Sequence, residues 1–175
     1  MLKIAVIGAG AAGREFAVAC ADAGFAVVLE DVMPEKLRNA AAVFAEMGHE
    51  VALVSTVEDA VRDADVVVDF VPDELESKLE IWSMIDRMAP PKTVMCTPSG
   101  GLSITDLASC TYRGDRCVMV RGRVPGAVKM ISAEATSEQT REVAARMLVG
   151  IGCAVERVDD PDLPMLLKNM RAGTL

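Results

Sequence analysis

At 175 residues the chain is long enough to bury one sizeable core but too short for a nucleotide domain plus a full second domain. Its 18 Lys and Arg against 26 Asp and Glu give a net charge of −8, which argues against nucleic acid as a partner, because neutralising phosphates takes a basic face. Apolar residues make up 51%, yet charges are spread through the chain and no apolar run approaches the roughly 18 residues of a membrane span.

The chain opens directly on a strand, so no signal peptide is expected. Ile4, Val6 and Ile7 form a short run without a polar face, the pattern of a central parallel strand buried on both sides. Gly8, Gly10 and Gly13 follow in G-x-G-x-x-G spacing, and the next residues, from Ala11, are good helix formers. Each glycine meets a different physical need. Gly8 permits a tight turn, Gly10 lets the backbone approach a pyrophosphate closely, and Gly13 lets helix and strand pack closely. The free N–H groups and positive end of the helix then face the phosphates. Gly8, Gly10, Ala11, Ala12 and Gly13 are therefore the expected dinucleotide cradle. Arg14 is either a pyrophosphate contact or a surface charge.

A second strand, A-V-V-L-E-D, ends in Glu30 and Asp31 about 20 residues later, where a carboxylate binds ribose hydroxyls; either acid has the reach. A carboxylate there repels a 2′-phosphate, so NAD is expected rather than NADP. Pro34 suits the first turn of a helix reaching Gly48. A third strand follows over Glu50–Val54. His49, the sole histidine, precedes that strand at its amino end, the wrong end for a catalytic group in an open α/β sheet.

A short helix over Thr56–Arg62 has a Thr cap and acids in its first turn. Asp65–Val71 reads as strand four, Glu74–Met88 as a helix with Ile81, Met84, Ile85 and Met88 on its core side, and Thr93–Cys96 as strand five. Trp82 falls beside the core stripe and reads as packing. A glycine turn at Gly100 and Gly101 leads to a short helix from Ser103. Strands over Cys117–Val120 and Lys129–Ala135 flank a glycine and proline turn, a helix spans Glu138–Gly150, and a last strand spans Ala154–Val158. The five cysteines show no ligand-like spacing and no metal set is expected; they read as reduced thiols of a cytoplasmic protein, mostly core filler. The whole is a Rossmann-type α/β domain, doubly wound on a mostly parallel sheet of about eight strands. Residues 1–100 form its nucleotide-binding core, 101–160 the second half of the sheet, and 161–175 a short C-terminal helix or tail.

From the fourth strand, V-V-V-D-F-V-P-D-E-L-E-S-K followed by the glycine turn and G-L-S-I-T-D-L-A resembles the NAD-binding domain of the 3-hydroxyacyl-CoA dehydrogenases. That family reads approximately V-V-E-A-I-x-E-x-x-x-x-K and then N-T-S-x-L-x-I-x-x-x-A, and no gap is needed. The resemblance implies Asp31 on the adenosine ribose, Asp73 in place of a nicotinamide-side glutamate, and Lys78 in place of the family's lysine near the cofactor. Lys78 is alternatively an ordinary helical ion pair with Glu74. The family's substrate-binding serine aligns with Gly100, so Ser99 substitutes only after a one-residue shift. Its general base aligns with Arg121, which stays protonated and cannot accept a proton from a hydroxyl. The orienting glutamate aligns with Ser132, with Glu134 close by. Ser99, Arg121 and Glu134 are thus the weak catalytic candidates.

On this reading the family's helical second domain is expected to be lacking, and Asn169 is displaced from the family asparagine. Arg113, Arg116, Arg121, Arg123 and Lys129 form either a patch for an anionic substrate such as acyl-CoA or a charged sheet edge. Two functions follow: an oxidoreductase moving a hydride between NAD and a 3-hydroxyacyl or other hydroxy-acid substrate, or an NAD(H)-binding module without chemistry, acting as subunit or redox sensor. FAD and S-adenosylmethionine also use glycine turns, but a flavoprotein normally needs a longer chain with further FAD contacts, and a methyltransferase does not explain the match around Lys78. A homo-oligomer is expected, because the face that docks the helical domain is left exposed.

Overall fold

A computed structural model of the protein describes residues 1–162. Eight strands form one sheet in the order β3-β2-β1-β4-β5-β6-β7-β8. β1 (Lys3–Ile7), β2 (Ala26–Glu30), β3 (Ala52–Val54), β4 (Val66–Asp69), β5 (Val94–Pro98) and β6 (Cys117–Gly122) run parallel. β7 (Ala127–Ser132) returns antiparallel to β6, and β8 (Ala154–Asp159) lies parallel to β7. Strand order reverses between β1 and β4, so the crevice outside their carboxyl ends is the topological switch point where ligands of such sheets bind. This is the doubly wound α/β fold that the sequence predicts.

Successive strand residues point to opposite faces, and both faces are buried. Ile4, Val6, Val66, Val68, Val94, Cys96, Val118 and Val120 pack under α1 (Ala11–Asp22), α2 (Pro34–Met47) and α6 (Glu138–Gly150). Ala5, Ile7, Val67, Met95, Met119 and Ile131 pack under α3 (Val57–Val61), α4 (Leu75–Met88) and α5 (Ile104–Ser109). Each fully buried Val or Ile contributes about 1.5–3 kcal/mol, which explains why the central strands carry no polar face. Caps fix the helix starts: the hydroxyls of Thr56, Ser103 and Ser137 accept from the N–H groups of Asp59, Asp106 and Thr140, each worth about 1 kcal/mol.

Several expected boundaries shift for physical reasons. The third strand shortens to Ala52–Val54 because only those residues find partners on β2. The fifth extends to Pro98 and the sixth to Gly122, since β6 pairs with β5 as far as Pro98 and with β7 as far as Gly122. The seventh spans Ala127–Ser132 rather than running to Ala135, ending where its ladder with β6 ends. The expected C-terminal helix falls on residues 163–175, outside the described residues.

The five-cation patch does not form. Five residue steps of strand, about 16 Å, separate Arg116, just before β6, from Arg121 near its end. Arg113 is buried, and its guanidinium donates to Asp86 Oδ1 at 2.8 Å and to the carbonyls of Asp86, Ala89 and Pro90. It thereby satisfies the unpaired carbonyls at the end of α4, where Pro90 and Pro91 prevent continuation. Of the five, only Arg123 and Lys129 remain exposed without an ion pair among the described residues.

Candidate functional site

The glycine turn leaves β1 at the switch point. Gly8 holds φ +100 and its N–H donates to the carbonyl of Glu30 at 2.8 Å. A Cβ on Gly13 would overlap the carbonyl oxygen of Gly8, so α1 seats directly on the turn. A Cβ on Gly10 would meet nothing within 4 Å, leaving open space above the turn. Gly10 gives α1 no side-chain cap, and α1 has no acid in its first turn, whereas each of the other five described helices has at least one. An open cradle at an uncapped helix start with no acid in its first turn fits a pyrophosphate. When bound, NAD supplies hydride exchange at its nicotinamide ring.

The two acids at the end of β2, Glu30 and Asp31, part company. Asp31 Oδ2 accepts from the Ala9 N–H at 2.8 Å, Oδ1 accepts from the Met33 N–H at 2.9 Å, and Lys36 Nζ lies 3.8 Å away. Its carboxylate therefore sits against the glycine turn. Glu30 follows Leu29, which packs under α1 and α2, so strand alternation turns Glu30 to the α3 face. It is buried, and its carboxylate has no hydrogen-bond partner among the described residues. Burial, and then the charge of Asp31, push the Glu30 carboxyl up to about 7.

This shift sets a pH dependence. Between its ordinary range near 4.5 and about 7, the folded protein holds a proton on Glu30 that the unfolded chain has released. Stability contributed by this group therefore falls as pH rises through that window and stays low above it. Glu30→Gln is expected to remove this slope and to stabilise the protein at pH 8 by roughly 2 kcal/mol, measured by urea unfolding at pH 5, 6.5 and 8.

Beside the turn, a cavity of about 360 Å³ opens at the carboxyl ends of β4, β5 and β6. Phe16 and Phe70, with ring centroids 5.3 Å apart, form part of its apolar wall, and Glu15, Asp73 and Lys78 are its charged lining residues. Lys78 reaches it from α4 and is 1% exposed. Its Nζ donates to Asp69 Oδ2 at 2.7 Å and to the Pro98 carbonyl at 3.1 Å, while Trp82 Nε1 donates to Asp69 Oδ1 at 2.8 Å. The Glu74 ion pair suggested by helical spacing does not form; the buried Asp69 captures the ammonium instead. Sequence reasoning gives Asp69 no role within the fourth strand, although an acid there and a lysine nine residues later are the signal of such a pair. Asp73 Oδ2 accepts from the Gly100 N–H at 2.9 Å. Cys96 also lines the cavity; burial, and then Asp69, raise its thiol pKa and disfavour the thiolate.

The catalytic candidates separate. Ser99 lies in the β5–α5 loop, where its Oγ accepts from the N–H groups of Gly101 and Leu102. Arg121, at the end of β6, donates to the carbonyls of Ser99 and Leu102 and to Asp162. Glu134 is exposed beyond the end of β7. Because β7 runs against β6, with Ser132 opposite Val118, Glu134 lies at the opposite edge of the sheet from the glycine turn. The structure does not bring it to the cavity. His49 pairs with Asp22, away from the carboxyl ends. Among the described residues no group of three or more His, Cys, Asp or Glu is arranged to hold a metal ion.

The sequence profile described as "3-hydroxyacyl-CoA dehydrogenase, NAD binding domain" matches residues 3–50 and 42–160. The chain belongs to the 3-hydroxyacyl-CoA dehydrogenase family. Glycine turn, β2 acids and cavity are thus parts of an NAD-binding domain. A probable 3-hydroxybutyryl-CoA dehydrogenase of Bacillus subtilis is 29% identical over 90% of this chain and 62% of its own length. An L-carnitine dehydrogenase of Oceanobacillus iheyensis is 28% identical over 85% of this chain and 53% of its own. The crystal structure of a 3-hydroxyacyl-CoA dehydrogenase from Archaeoglobus fulgidus superposes with a TM-score of 0.82 at 25% identity, covering 99% of this chain and 61% of that one. This family chain therefore spans about three fifths of the length of such relatives or less. No described helix is long and apolar enough to cross a membrane.

Proposed function

We propose that this NAD-binding domain serves hydride transfer between NAD and a small hydroxy acid or its 3-hydroxyacyl thioester. The observation that carries the reading is a cavity at the carboxyl ends of β4, β5 and β6, lined by Ala12 of the glycine motif together with Asp73 and Lys78. In it, Gly8, Gly10, Ala11, Ala12 and Gly13 cradle the pyrophosphate, Asp31 holds the adenosine ribose, and the nicotinamide half enters the cavity between Phe70, Asp73 and Pro98. Lys78 holds the floor of that half in place through its bond to Pro98. Arg121 is not the proton acceptor for the substrate hydroxyl, since it is committed to three acceptors and stays protonated.

Those same facts favour a second reading, an NAD(H)-binding module with no chemistry of its own. Free thiols suit a reducing, cytoplasmic setting, and self-association suits a domain whose relatives continue beyond it. An acyl-CoA would have Arg123 and Lys129 for its phosphates rather than the larger patch that the sequence suggested.

One cuvette separates the readings. NADH is titrated while energy transfer from Trp82 is followed, and acetoacetyl-CoA is then added while the nicotinamide absorbance is watched. Saturable binding with loss of NADH supports hydride transfer, binding without turnover supports the module, and no binding removes both. Asp31→Ala is expected to weaken NADH binding at least about tenfold, because it removes a charged acceptor. Glu30→Ala, whose parent carboxyl is largely neutral below pH 7, is expected to change binding far less at pH 6.5; equal losses would move the ribose to Glu30.

A further inference from the structure

Arg121 stands at the end of β6, and its side chain is 24% exposed. Three of its nitrogens are engaged on one short loop and one carboxylate. Nε donates to the Ser99 carbonyl at 2.9 Å, a terminal nitrogen to the Leu102 carbonyl at 3.0 Å, and the other to Asp162 at 3.0 Å. Few side chains can do this: the guanidinium offers five N–H donors in a rigid planar fork, whereas a lysine at this site has one compact head.

The loop that Arg121 grips is the one that places the charged groups of the cavity. Its Gly100 N–H holds the Asp73 carboxylate, and the Pro98 carbonyl, at the end of β5 next to Ser99, receives Lys78 Nζ. Gly100 and Gly101 give this loop little stiffness of its own. The Ser99 hydroxyl supplies only a local turn within it. Asp160, just before Asp162, holds the neighbouring start of α5 by accepting from the Ser103 and Thr105 hydroxyls, each at 2.7 Å. The segment after β8 and the end of β6 thus hold the loop from the side opposite the cavity.

We propose that Arg121 is the positioning residue of the nicotinamide half of the site: by fixing the Ser99–Leu102 loop it holds Asp73 and Lys78 in register with the cofactor. The proposal rests on the reading that the nicotinamide enters this cavity. The adenosine half, built by the glycine turn and Asp31, shares no bond with Arg121. Its effect is therefore confined to one end of the dinucleotide.

The test uses the full chain, NADH, and ADP-ribose, which lacks the nicotinamide. Arg121→Ala and Arg121→Lys are expected to bind NADH about tenfold more weakly, as loss of charge-assisted bonds predicts, while ADP-ribose affinity stays within about twofold. About 20 mM guanidinium, well below the denaturing range, is expected to restore NADH binding to Arg121→Ala but not to Arg121→Lys, with sodium chloride of equal ionic strength as control. Trp82, linked to the loop through Asp69 and Lys78, is expected to report the slackened loop as altered emission.

Unchanged NADH affinity in both variants overturns the proposal. So does an equal loss for NADH and ADP-ribose without rescue, which would mark a general structural role. If the parent protein binds ADP-ribose as tightly as NADH, the cavity is not the nicotinamide site. That result overturns the proposed placement and this inference with it, before any variant is compared.

Discussion

Lys78→Met is expected to destabilise the protein by about 3–5 kcal/mol, a large share of the roughly 5–15 kcal/mol that a domain has in hand. Both partners of the Lys78–Asp69 pair are 1% exposed. Methionine preserves most of the buried length and removes the charge. Asp69 is then left with one neutral donor, the Trp82 indole at 2.8 Å, and no counter-charge. The Pro98 carbonyl also loses its partner. The measurement is urea unfolding followed by Trp82 emission, where the midpoint is expected to fall by about 1–3 M.

Asp69→Asn in the Lys78→Met background makes the argument specific. If the cost is an uncompensated charge, the double variant loses less than the two single losses added, because no ion remains to be buried alone. An additive pair, or a loss below about 1 kcal/mol for Lys78→Met, would mean that water reaches Asp69. Such a costly pair at the floor of a cavity makes sense if the lysine is needed there. An apolar pair of the same volume is often as stable or more so.

The part of the site built by local chain geometry was legible in the sequence. Gly8, Gly10 and Gly13 specify their turn through backbone conformation and close packing, and no distant partner is needed to read them. The sequence left Glu30 and Asp31 as alternatives, and the end of β2 separates their surroundings: Asp31 meets the Ala9 N–H, whereas Glu30 turns to the other face. Strand and helix identities followed from apolar runs and caps, so the helix over Glu138–Gly150 matches residue for residue.

What depended on connections over distance was not legible. Lys78 and Asp69 meet because a strand, a turn and a helix start happen to fold one over the other, while helical spacing offered Glu74 as an equally good partner. Arg113 and Arg121 are close in sequence but serve opposite ends of the sheet, one closing α4 and the other gripping the β5–α5 loop. Glu134 was singled out because it lies two residues from Ser132, the position aligned with the family's orienting glutamate, but β7 runs antiparallel to β6 and carries it to the other end of the strands. In each case the strand's length and sense, rather than the residue's chemistry, decides where the charge ends up.

The sharpest division between fold and cofactor comes from two glycines three residues apart. At Gly13 a methyl group would overlap the Gly8 carbonyl, and both are backbone held between β1 and α1, so no side chain can swing away. Gly13→Ala is expected to cost several kcal/mol, about 3 or more, and to abolish NADH binding along with native stability. At Gly10 the backbone has φ −65 and ψ −177, which alanine adopts freely, and a methyl group meets nothing within 4 Å. Gly10→Ala is therefore expected to change stability by about 1 kcal/mol at most, as an N-cap glycine exchanged for alanine does. Its methyl group would occupy the space above the turn that the pyrophosphate needs, and NADH affinity is expected to fall about 100-fold. Thermal unfolding with and without NADH reads both effects at once, because saturating ligand raises the midpoint of any protein that binds it in the folded state. Gly10→Ala should melt where the parent melts without NADH and fail to rise when NADH is added. A Gly10→Ala protein that rises as far as the parent would show that the phosphates do not pass over this turn, and the cofactor's path would have to be redrawn from Asp31 outward.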